Sequence, residues 1–215
     1  QTINIGGYNS YRYFSGSLDE VKIYPYARTA DQILQDYNSR GSLSGSSVNL
    51  GVQSNTAPSL KSSLVAHYKF DEGNGTTAYD SSENNLNGTF GAGSSAPTWT
   101  QGKSIKGLSF IGTNYITLPN DIVTTSTIRT QGVTYSAWIK LTTTTTTNLR
   151  ILGQKPGSGY SDFASGGIGI DSSGKALMIA YDDGVAYKYA ASNTTLNTNQ
   201  WHHIVGTYDP SDQKI

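Results

Sequence analysis

The densest set of hard oxygen ligands in the sequence is the run Asp80-Ser81-Ser82-Glu83-Asn84-Asn85-Leu86-Asn87-Gly88. Asp80, Asn84, Asn85 and Asn87 place a carboxylate and amide oxygens in one short loop, and backbone carbonyls can complete the shell that Ca²⁺ requires. The spacing is not that of an EF-hand. The same residues have a second reading, in which Asp80 caps a turn and the asparagines take the left-handed backbone angles of Asn-Gly turns. An aromatic constellation offers different chemistry. Tyr181, Asp182, Asp183, Tyr187 and Tyr189 combine ring platforms with carboxylates, as carbohydrate binding needs, and Tyr8, Tyr11 and Tyr13 form another set. Alternating tyrosines also serve as ordinary strand packing or as interface contacts.

Catalytic arrangements are harder to find. Asp71-Glu72, Asp19-Glu20 and Asp182-Asp183 are adjacent pairs, so on a strand their carboxylates point to opposite faces and cannot flank one scissile bond. His202-His203 are consecutive for the same geometric reason, and no nucleophile elbow is present. Cysteine is absent, which removes thiolate chemistry, disulfides and Cys-based zinc sites. The expectation is a protein without catalytic residues.

Composition narrows the partners. The 15 Lys+Arg balance 15 Asp+Glu, so the basic stripe by which nucleic-acid binders displace counterions is missing. No run of apolar residues is long enough to span a membrane as a helix. Charged residues make up only 14% of the chain while 24 glycines and 15 tyrosines fill the gap, a composition that suits an extracellular or cell-surface β-protein.

The elements that must position these residues are nearly all strands. Leu64 to Phe70, Ser109-Phe110, Tyr115 to Leu118, Val133 to Leu141, Gly167 to Asp171, Ala176 to Tyr181 and Trp201 to Tyr208 are short, apolar-alternating and punctuated by Gly, Asn and Ser. In Val133 to Leu141 the odd positions form a core face, and Thr134, Ser136, Trp138 and Lys140 form a partly polar one. One helix follows Thr29, which with Gln32 makes a capping box; Ile33, Leu34 and Tyr37 give it an apolar face. Thr2 to Ile5 reads as a strand, Gly41 to Lys61 as a flexible linker, and Thr142 to Thr147 as a surface loop. Asp209 to Asp212 reads as a turn with a return strand begun at Gln213, so both ends read as cuts through a fold.

Five separated motifs carry a resemblance: LVAHYKFDEGNGTTAYDSSENNLNG from Leu64, SFIGTNYITLP, VTYSAWIKL, WHHIVGTYD, and FSGSLDEVKIYPY from Phe14 with the helix after it. Together they resemble laminin-G-like domains of bacterial and archaeal surface proteins, which are concanavalin A-like jelly rolls. The resemblance implies an all-β jelly-roll sandwich with one short helix near the N-terminal segment. It also implies that Asp19 or Glu20, from the LDEV strand, joins the Asp80 loop around a structural calcium. Ile111 stands where the family commonly has aspartate. The motif order is inverted, because the LDEV motif and its helix close such a domain but open this chain. Residues 1–41 are therefore expected to complete a sandwich, 42–61 to link, and 62–215 to supply the opening and central strands. The completed sandwich could be a tandem neighbour's, the chain's own, or that of another copy by strand exchange, which would build filaments. The expected function is a non-catalytic structural or adhesive module whose partners are neighbouring copies, with glycan binding as the alternative.

Overall fold

The computed structural model describes residues 3–7, 12–38, 64–119, 122–123, 128, 130–143, 147–154, 166–181 and 187–215. The expected linker, Tyr8, Tyr11, Asp182, Asp183 and the middle of the threonine run lie outside the described residues.

Two antiparallel sheets pack face to face. One runs β13 (Tyr187–Thr195), β12 (Lys175–Tyr181), β11 (Gly167–Ile170), β10 (Leu149–Gln154), β1 (Ile3–Ile5), β8 (Ile116–Thr117), β5 (Gly88–Phe90) and β4 (Thr77–Ala78). The other runs β14 (Trp201–Tyr208), β9 (Val133–Leu141), β2 (Ser15–Tyr24), β7 (Lys106–Ile111) and β6 (Thr98–Gln101), with β3 (Ala66–Tyr68) paired to β2. The core between them is one cluster that includes Ile3, Leu18, Val21, Ile23, Phe110, Tyr135, Ile139, Ile168 and Tyr208. This is the expected sandwich. The strands read at Val133 to Leu141 and Trp201 to Tyr208 coincide with β9 and β14.

The segment that opens the chain is central to both sheets. β1 pairs with β10 on one side and β8 on the other, and β2 pairs with β9 and β7. β2 does not alternate simply: Leu18, Val21 and Ile23 all face the core, a spacing of three and then two. A bulge between Asp19 and Lys22 absorbs the extra residue, with Glu20 at φ 51°. Its consequence is that Asp19 and Glu20 leave the strand in different directions.

Close sheet packing sets one glycine. A Cβ at Gly206 in β14 would lie 2.7 Å from the Met178 sulfur and 2.8 Å from an Ile168 methyl of the opposite sheet. Gly206→Ala is therefore expected to force the sheets apart and to lower the melting temperature, at a cost of roughly 1–3 kcal/mol typical of overpacking; an unchanged melt would contradict this packing.

Helix α1 (Ala30–Asn38) begins with the expected capping box. Gln32 N donates to Thr29 Oγ1 at 3.4 Å and Thr29 N donates to Gln32 Oε1 at 3.0 Å. Its apolar residues are less buried than periodicity suggested, since Leu34 is 56% and Tyr37 50% exposed. The helix is held by polar anchors instead. Asp36 accepts from the Tyr24 hydroxyl at 2.9 Å and pairs with the buried Arg28 at 3.2 Å, while Arg28 Nη2 donates to the Gln32 carbonyl at 2.9 Å. At the other end, the expected return strand reduces to a single bridge, in which Asp209 N donates to the Lys214 carbonyl across a tight turn.

Candidate functional site

The outer face of the six-stranded sheet carries the most chemically distinctive surface. β9 and β14 pair so that Trp138 lies opposite His203 and Lys140 opposite Trp201. Both pairs occupy the phase that does not face the core, so a strand pattern that builds the sandwich also builds an aromatic platform on its outside. His203 stacks on Trp138 with ring centroids 5.0 Å apart and planes at 20°, and its Nε2 lies 2.8 Å from the Ser136 hydroxyl. Tyr37 lies over the pair, 5.7 Å from Trp138 and 5.9 Å from His203. The anchoring of Asp36, its neighbour on α1, fixes that position.

Two ammonium groups complete the site. Lys103 Nζ sits 5.1 Å above the Trp138 ring and Lys140 Nζ 5.3 Å above that of Trp201. Beside these rings opens a cleft of about 580 Å³ bounded by Tyr37, Lys103, Trp138, Trp201, His202 and His203. Trp138 is its buried floor, while Trp201 and both histidines are half-buried walls. His202 Nε2 donates to the Asn197 carbonyl at 2.9 Å. Among the described residues no aspartate or glutamate lines the cleft. Aromatic faces, N–H donors and ammonium charge without carboxylates suit a ligand that offers apolar C–H faces and anionic or hydroxyl acceptors.

Beneath the rim lies Asp19. Its side chain is fully buried, and Oδ2 accepts from the backbone N–H of Lys103 at 2.7 Å and of Ser104 at 3.0 Å. Oδ1 has no partner. Burial pushes the Asp19 carboxyl up to about 7, with the charges of Glu20 and Asp71 adding to the effect and the two backbone donors opposing it. The sign of the linkage follows: the stabilisation from the protonated form is complete below the unfolded value of 3.8 and is lost as pH rises through about 7. Asp19→Asn is expected to flatten stability over that window by a few kcal/mol at most, at about 1.4 kcal/mol per pH unit of separation. Denaturant titrations of both proteins across the window check it; parallel profiles would refute the assignment.

The calcium reading fares differently. Asp80 Oδ1 accepts from the N–H groups of His67 and Ser82, both at 2.9 Å, and Oδ2 accepts from the Ser82 hydroxyl at 2.7 Å and the Leu86 N–H at 2.9 Å. Burial alone would raise this carboxyl, but the donors outweigh it and hold it below the ordinary value. Asn87 Oδ1 accepts from Asp80 N, Asn84 Nδ2 donates to the carbonyls of Leu64 and Val65, and Asn85 adopts φ 54°. The loop thus has the turn-capping arrangement. Glu20 contacts His67 Nε2 at 2.6 Å, whereas Asp19 serves the Lys103–Ser104 turn. These residues do not fit a calcium centre, because the Asp80 oxygens are already occupied by donors and Asp19 faces elsewhere. Among the described residues no group of three or more His, Asp or Glu side chains could hold a metal.

The tyrosine set read from the sequence sits on the other sheet. Tyr181 and Tyr187 are register partners at the ends of β12 and β13, and Tyr189 is 72% exposed; Asp182 and Asp183 are outside the described residues. Sequence reading missed the cleft because Trp201 to Tyr208 reads as a strand and its consecutive histidines make no catalytic pair. Its signal was present in the two strands, each of which places a tryptophan on the phase opposite its core residues.

Comparison with known families gives one match. Residues 110–215 match a laminin-G family model described as the concanavalin A-like lectin/glucanases superfamily. The match begins in β7 and contains β9 and β14, the two strands that form the aromatic platform. No curated protein and no solved structure matches the chain.

Proposed function

We propose that the protein is a non-catalytic carbohydrate-binding module of laminin-G type, a reading supported by the match of residues 110–215 to the concanavalin A-like lectin/glucanases superfamily model. The observation that carries the proposal is the cleft itself. Cross-strand pairing lines up Trp138 with His203 and Lys140 with Trp201, and α1 adds Tyr37. Sugar rings present C–H faces to such rings and hydroxyls to surrounding donors. Lys103 in the lining and Lys140 over Trp201, with no lining carboxylate among the described residues, direct the preference to glycans bearing carboxylate or sulfate groups. Among the described residues no carboxyl pair lines the cleft, which favours binding over glycoside hydrolysis through two carboxyl groups.

A surface location fits this reading, with the low charge and absent cysteine of the chain in its support. Among the described residues no helix is long and apolar enough to cross a membrane.

The test is affinity for polygalacturonate, a sulfated glycan and neutral amylose at low and high salt. Saturable binding to the acidic polymers is expected, weakened by salt and about tenfold or more by Trp201→Ala in a folded variant. Failure to bind any of them, or binding indifferent to Trp201→Ala, would overturn the assignment.

A further inference from the structure

The rim of the cleft hangs on a single buried carboxylate. Lys103 and Ser104 border the cleft, Lys103 carries the ammonium that lies over Trp138, and the backbone N–H groups of both residues converge on Asp19 Oδ2. Behind that oxygen, Oδ1 is enclosed without a partner, and the turn is packed so tightly that a Cβ at Gly102 would lie 2.7 Å from Asp19 Oδ2.

Taking the cleft as the ligand site, we propose that Asp19 is a proton-controlled latch on its rim: protonated, it holds the Lys103–Ser104 turn closed over Trp138; ionised, it releases the turn to admit water to Oδ1. The physical reason is the cost of a buried charge with one oxygen unsolvated, which the closed rim imposes and an opened rim relieves; that cost outweighs the stronger hydrogen bonds an ionised Oδ2 accepts from the two amides, since burial is the largest influence on this carboxyl and the amide donors the opposing one. The surrounding charges act in the same sense. Glu20 on the same strand and Asp71 in the segment after β3 are carboxylates that oppose ionisation, and the Lys106 N–H is engaged by Asp71 at 3.2 Å instead of by Asp19. The Lys103 ammonium, on the turn that Asp19 holds, lies over the Trp138 face. Burial places the titration at about 7, where modest acidification or alkalinisation changes the latch. Retention of a glycan is therefore expected to be stronger on the acid side and weaker on the alkaline side, independently of the histidines in the wall.

The latch can be read without any ligand. Hydrogen exchange of the Lys103 and Ser104 amides in the whole protein, expressed as protection relative to Ile139 in the core, is expected to fall about tenfold between roughly pH 5.5 and roughly pH 8.5. Asp19→Asn is expected to remove the pH dependence. Protection that stays level with pH in the wild-type protein overturns the latch, whether or not glycans bind. If Asp19→Asn does not fold, the carboxyl carbon of Asp19 followed by NMR in the wild type decides the matter, since a midpoint far from neutrality is equally fatal. A rim that loosens with pH in a protein that binds none of the glycans would retain the latch and discard the glycan.

Discussion

A chain lacking residues 1–38 is expected to show no cooperative unfolding transition. β2 is an interior strand of the six-stranded sheet and β1 an interior strand of the eight-stranded one, so their removal deprives five strands (β3, β7, β8, β9 and β10) of a partner. Ile3, Ile5, Phe14, Leu18, Val21 and Ile23 are all fully buried. At roughly 1.5–3 kcal/mol for each buried apolar side chain, their loss is comparable to the entire net stability of about 5–15 kcal/mol for a domain. Leu18→Ala alone is expected to cost about 2–5 kcal/mol. Because the chain has no cysteine, the pairing itself can be trapped cleanly: Ser17 and Lys140 are register partners, so Ser17→Cys with Lys140→Cys should oxidise to a monomeric, internally bridged chain. A covalent ladder of dimers and higher species would instead place β2 in a neighbour. A truncated chain that melts cooperatively by calorimetry would refute the central role of this segment.

Asp80→Ala is expected to be the most damaging single polar substitution among those considered. It leaves the N–H groups of His67, Ser82 and Leu86 and the Ser82 hydroxyl without their acceptor, in a place where Asp80 itself is 9% exposed. Bonds to a charged acceptor contribute about 1.5–3 kcal/mol each, and with partial rehydration of the loop the net loss should be roughly 3–5 kcal/mol. The pH dependence has the opposite sign to that of Asp19. The Asp80 carboxyl lies below its ordinary value in the folded state, so its contribution is present above 3.8 and disappears as pH falls through the folded value. Calcium and chelator should leave the melting temperature unchanged. A melt shifted by calcium and unaffected by Asp80→Ala would restore the metal reading of this loop.

What the sequence made legible follows from locality. Alternation in Val133 to Leu141 identified both the strand and its core face, and Thr29 with Gln32 identified the start of α1, because each depends on neighbours within a few residues. Short strands such as β4, β5 and β8 are only two or three residues long and gain their identity from partners far along the chain. The bulge at Glu20 was legible in the spacing of Leu18, Val21 and Ile23, yet the directions it gives Asp19 and Glu20 require the 102–104 turn and His67 to be in place. The same non-locality explains the cleft. Trp138 and His203 become a pair only through the register of β9 with β14, and Tyr37 arrives from a helix anchored by Asp36. The acidic and amide residues of the Asp80 loop are adjacent in the sequence, but which way their oxygens point depends on donors from β3.

The chain contains three tryptophans, and their positions make the most direct measurement of the glycan-binding assignment possible. Trp138 and Trp201 border the cleft, while Trp99 lies on β6 at the opposite edge of the same sheet with its indole N–H bonded to the Gly75 carbonyl at 3.0 Å. In a ¹H–¹⁵N titration with an oligogalacturonate, the indole signals of Trp138 and Trp201 should shift together and saturate while that of Trp99 stays in place. Signals that remain fixed at Trp138 and Trp201, or a shift confined to Trp99, would contradict the cleft as the binding site.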